Sequence, residues 1–73
     1  MNEQEFVVKM VEIMDTEERL TMDSILNDIY EWDSLALVAF LAMCRAFDCN
    51  VTSKDVKAAR SIHDLYVLFK GEK

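Results

Sequence analysis

Imidazoles and thiols, the groups that most often serve as general bases, nucleophiles and soft metal ligands, are few in this chain and scattered. There is one imidazole, His63, and there are two thiols, Cys44 and Cys49. A Ser-His-Asp device holds its imidazole between a hydroxyl and a carboxylate, and no motif around His63 places it beside a nucleophile. Structural zinc takes four ligands, which two thiols and one imidazole do not supply. The cysteines therefore read as reduced, buried or half-buried thiols. The acids of Asp15-Thr16-Glu17-Glu18 lack the glycine and the spacing of a calcium loop. With Gly71 as the single glycine, no glycine-rich phosphate cradle exists either. No residue is assigned a catalytic or metal-binding role. A chain of 73 residues has little room for a substrate pocket of several hundred Å3 beside a core.

One hydroxyl is better placed. Ser34 follows Asp33 and opens the run Leu35 to Phe47, in which Arg45 is the one charged residue. Asp33 or Ser34 can cap a helix there, since a side-chain oxygen accepts one of the free first-turn N–H groups. The start of a helix also suits a phosphate, which meets the remaining N–H groups and the positive end of the dipole. At steps of about 100° the helix separates into two faces. Leu37, Phe40, Leu41, Cys44 and Phe47 make a bulky face, expected to enter the core. Leu35, Ala36, Ala39, Ala42, Met43 and Ala46 make a smaller, flatter one, with Ser34 and Arg45 near its border. That second face either packs closely on another helix or is a docking surface that a partner covers. As a docking surface it takes in Leu35, Ala36, Val38, Ala39, Ala42 and Met43.

The elements that position Ser34 follow from periodicity. The pattern Phe6, Met10, Ile13, Met14, widened by Val7 and Val11, predicts a helix from about Asn2 to Met14. Asn2 suits its N-cap, and Glu3 and Glu5 suit its positive end. Residues 15–33 lose this spacing and read as a long connection pinned by Leu20, Ile25, Leu26 and Ile29. Trp32 is expected to plug that loop, and Met10, Met14, Met22 and Met43 to fill core gaps. The second helix runs from Ser34 to about Phe47. A short third helix follows Thr52-Ser53, taking in Val56 and Ala59. The last opens at Ser61, with Asp64 completing an Asp version of the capping box, and stops at Gly71. His63 is expected to face solvent in its first turn. With no proline and so few turn residues, an all-α bundle of three longer helices and one short one is the expected fold, a single domain over residues 1–73.

Charge narrows the partners. Eight bases against fourteen acids leave −6, which disfavours nucleic acid and anionic membranes. Residues 1–33 carry −8 and residues 34–73 carry +2. The longest apolar run, Leu35 to Cys44, is half the length of about 20 residues that a bilayer span needs. The acidic start Met1-Asn2-Glu3-Gln4-Glu5 does not resemble a secretion signal. A soluble, cytoplasmic monomer is expected.

The segment Leu26-Asn27-Asp28-Ile29-Tyr30-Glu31-Trp32-Asp33-Ser34-Leu35-Ala36, after an irregular loop and before an apolar helix, resembles the attachment site of an acyl carrier protein. The likeness extends over about residues 2–70: an amphipathic first helix, a long loop, a short third helix and a last helix opening Ser61-Ile62-His63-Asp64-Leu65. It implies a four-helix carrier bundle in which Ser34 bears 4′-phosphopantetheine, derived from coenzyme A, with cargo held as a thioester. Asp33 then matches the aspartate before the modified serine, and Leu35 the apolar contact beside the arm. The implied partners are a phosphopantetheinyl transferase, an acyl-loading ligase or transferase, and downstream thioester-using enzymes. Carriers of fatty-acid synthesis typically bear acids where Ala36 and Ala39 stand, and a glycine-containing pair where Glu31-Trp32 stands. Ser34 to Val51 is also one residue shorter than the family spacing, which rotates Phe47 and Asp48 by about 100°. These differences imply a dedicated carrier of a specialised pathway with a more apolar docking contact. The alternative is a non-enzymatic helical interaction module, with Ser34 merely part of the helix start.

Overall fold

The computed structural model describes residues 2–71. Helix α1 spans Glu3–Met14, α2 Ser34–Ala46, α3 Ser53–Ala58 and α4 Ile62–Lys70, with a single 3-10 turn at Leu26–Asp28. The fold is the expected small all-α bundle. In it α1 packs on α2 and α4, and α3 packs on the same two.

Local chemistry sets the boundaries. Asn2 caps α1 in a full capping box: Glu5 N–H donates to Asn2 Oδ1 at 2.8 Å, and Asn2 N–H donates to Glu5 Oε1 at 2.9 Å. Thr52 and Asp55 do the same for α3, and Ser61 and Asp64 for α4. Gly71 ends α4 with φ +81°, a left-handed position that costs glycine nothing. The ends of α1 and α2 reach that conformation without glycine, at Asp15 (φ 50°) and Asp48 (φ 59°). At each, a following amide reaches back to close the helix. Thr16 N–H donates to Val11 O at 3.4 Å, and Cys49 N–H to Cys44 O at 2.7 Å.

Phe6, fully buried, centres the core. Its ring meets Phe40 edge-on at 6.2 Å, Tyr66 at 5.2 Å and Phe69 at 5.6 Å, so one side chain joins α1, α2 and α4. Met10, Met14, Ile62, Leu65 and Val56 fill in around it. Met22, Met43 and Trp32 are half-buried against the same core.

Two expectations need correction. In the long connection Leu20, Leu26 and Ile29 are buried, but Ile25 is 46% exposed. Ile25 holds the loop through its backbone instead, in an isolated antiparallel bridge with Ser61. Leu26 N–H donates to Arg60 O at 2.8 Å, Ile62 N–H to Ser24 O at 3.0 Å, and His63 N–H to Met22 O at 2.9 Å. The loop is thus stitched to the α3–α4 junction. The second correction concerns how α2 faces the core. Its buried residues are Ala36, Phe40 and Cys44, a direction about 40° around the helix from the expected bulky face. Leu37 and Leu41 become half-buried flanks, and Phe47 lies half outside, edge-on to Phe69 at 5.3 Å.

Candidate functional site

The site is built where the loop delivers the chain to α2. Asp33 is extended (φ −132°, ψ −168°), and its Oδ1 accepts the Ala36 N–H at 3.0 Å. Asp33 is therefore the cap and Ser34 the first helical residue. The carbonyl of Asp33 accepts Leu37 N–H at 3.0 Å, the first intrahelical bond. The amides of Ser34 and Leu35 precede any intrahelical acceptor and donate to no group among the described residues. Ser34 is exposed, and its hydroxyl makes no hydrogen bond there.

The electrostatics of this helix start differ from the other three. The first turns of α1, α3 and α4 each contain a carboxylate, whereas α2 contains none and relies on Asp33 before it. The positive end of its dipole is met by the capping carboxylate of Asp33 rather than by one within the first turn. Around it, Tyr30 is almost fully exposed and Leu35 is 78% exposed. Trp32 turns inward, its amide donating to Ile29 O at 3.1 Å. Glu31 Oε1 is buried without a hydrogen-bond partner, an uncompensated polar atom three residues before the serine.

From this start the outward stripe of α2 runs Leu35, Val38 (61% exposed), Ala42 and Arg45. Ala39 and Met43 are half-buried at its margin. Ala36 does not belong to it: at 3% exposed it packs in the core, which corrects its place in the expected docking set. Arg45, expected at the border of the smaller face, lies exposed at the end of the stripe.

Elsewhere the thiols and the imidazole lie apart from Ser34 along the chain. Cys44 is buried, and burial, with Cys49 adding to it, pushes its thiol up to about 11. The Cys49 thiol donates to Phe69 O at 3.0 Å. His63 is exposed, as its place in the first turn of α4 implies. Among the described residues no cluster of three potential ligands is placed to hold a metal ion, and no helix is long and apolar enough to cross a membrane.

The donor set at Ser34 fits a phosphodiester. A hydroxyl free to be esterified stands beside two amides that lack acceptors, on a helix end with no carboxylate inside its first turn. No family model matches the chain, and no curated protein or solved structure matches it.

Proposed function

We propose that the chain is an acyl carrier protein, modified at Ser34 with 4′-phosphopantetheine taken from coenzyme A. When attached, the arm supplies a terminal thiol on which acyl or related cargo is held as a thioester. The observation that carries this reading is the pairing of a free, exposed hydroxyl with the unsatisfied amides of Ser34 and Leu35. In this role Asp33 fixes the helix start, so the serine is presented in one orientation. The amides and the dipole stabilise the diester's negative charge. Leu35 offers an apolar contact beside the arm. Val38 and Ala42, with the margins of Ala39 and Met43, meet the phosphopantetheinyl transferase, the loading ligase or transferase, and the enzymes that use the thioester. The chain presents cargo, and its partners perform the chemistry.

The deciding experiment is an intact mass after incubation with coenzyme A, Mg2+ and a broad-specificity phosphopantetheinyl transferase, with Ser34→Ala alongside. A gain of one phosphopantetheine in the parent, absent in the variant, is expected. No gain in the folded parent with several transferases transfers the reading to a helical interaction module docking through the same stripe.

A further inference from the structure

The surface beside Ser34 carries an uneven charge. Along α2 the start is acidic, with Asp28, Glu31 and Asp33 before the serine. The far half is not. Arg45 ends the exposed stripe and lines a groove with Leu41, Asp48, Asn50 and Ser53 that leads onto α3. On α3 the buried residue is Val56, which turns Lys54 and Lys57 outward. Asp55 and Ala58 line the opposite groove, toward α4. Lys57, one turn after Ser53, therefore stands on the α2 side. Arg45 thus continues the stripe of Val38 and Ala42, Lys57 stands on the α2 side of α3 and Lys54 is exposed farther out, with Asp48 as the one acid of the groove.

Helix stability accounts for only two of these three positions. Arg45 and Lys57 sit in last turns, where positive charge is favoured by the dipole. Lys54 sits in the first turn of α3, where it is disfavoured. None of the three makes an ion pair among the described residues. The excess acid of the chain lies in residues 1–33, at −8 against +2 for the rest.

We infer that the far half of α2 and α3 docks a protein partner whose contact surface is apolar and rimmed by carboxylates. This rests on the carrier reading, since it describes a partner that approaches the Ser34 arm. Charge complementarity selects the approach. Carboxylates on the partner are attracted to Arg45, Lys54 and Lys57 and repelled by the acidic first half, so the encounter is oriented before contact. Burial of Val38 and Ala42 then supplies the non-directional part of the affinity.

The test uses two synthetic helical peptides with one shared Leu/Ala face, one rimmed by glutamates and one by lysines. Each is titrated by NMR into the full 15N-labelled chain, as parent and as Ser34→Ala. The glutamate peptide is expected to bind on the order of tenfold tighter at low salt, shifting the amides of Val38, Ala42, Arg45 and Lys57. The exposed double variant Arg45→Glu/Lys57→Glu reverses the preference. Equal binding, preference for the lysine peptide, no binding, or shifts confined to α1 overturns the inference. Sedimentation with phosphatidylserine-containing vesicles in place of peptide binding assigns the surface to a membrane and likewise overturns it. Because Ser34→Ala cannot be modified yet retains this surface, failure here and failure of the carrier reading are separate results.

Discussion

The starts of α2 and α4 use the same two residue types and end with opposite properties. In α4 the serine is the cap, and Ser61 Oγ is occupied by the Asp64 N–H at 3.2 Å. Asp64 reciprocates, and the loop carbonyls of Ser24 and Met22 take the Ile62 and His63 amides. In α2 the aspartate caps and the serine follows one position later. Asp33 takes the Ala36 amide, and nothing in the described chain takes those of Ser34 and Leu35. A shift of one residue turns the hydroxyl from a structural acceptor into an available group. It also leaves two first-turn amides without an acceptor among the described residues.

That contrast can be broken most sharply by exchanging alanine at each serine. Ser34→Ala is expected to abolish phosphopantetheine addition, read by intact mass, with little change in thermal midpoint. Ser61→Ala is expected to leave addition intact and to cost about 1 kcal/mol by urea denaturation. Equal destabilisation by the two variants would sink the distinction. Amide hydrogen exchange probes the same difference directly. Ile62 and His63 are expected to exchange roughly a hundredfold or more slowly than Ser34 and Leu35, and comparable rates would mean that α4 is no better closed than α2.

Farther along α2, the inward side gives a pH-dependent control for its exposed stripe. Because burial holds the Cys44 thiol at about 11 against an ordinary 9.0, the folded chain binds that proton more tightly than the unfolded one. Its contribution is complete below pH 9 and is lost as pH rises through 11, amounting to about 3 kcal/mol. Cys44→Ala is expected to flatten this alkaline loss in denaturation measured between those pH values. An unchanged slope would assign the loss to other groups. The smallest effect is expected beside the serine. Glu31→Met removes a buried oxygen without a partner and should stabilise the fold by about 1 kcal/mol, seen as a higher urea midpoint. A lower midpoint would show that Glu31 supports the entrance to α2.

Local signals in the sequence were sufficient where they were strong. The periodicity of α1, the Ser61-Asp64 box and the stop at Gly71 each act within a turn or two of chain, and each is found where expected. So is the break in the chain at Asp33-Ser34. The facing of α2 was not legible, because a helix apolar on nearly every side has little periodic contrast to orient it. That Ala36 enters the core is decided by how α2 packs against its neighbours. The stitching of residues 22–26 to 60–63 left no mark either, since it uses backbone groups that every residue type possesses. The turns at Asp15 and Asp48 escaped notice because the left-handed position is most readily signalled by glycine.

The stitched loop has a consequence for how the molecule is made. Residues 22–26 are synthesised before residues 60–63 are joined to the chain. Until then the carbonyls of Met22 and Ser24 have no amides of the last helix to accept, and the bridge at Ile25 has no partner. The segment leading to Ser34 is consequently anchored among the last parts of the fold. A nascent chain carries the serine early but holds it in place only once the start of α4 is present. Modifying enzymes that read the folded entrance of α2 would therefore act once the start of α4 has paired with the loop and pass over chains in which it has not.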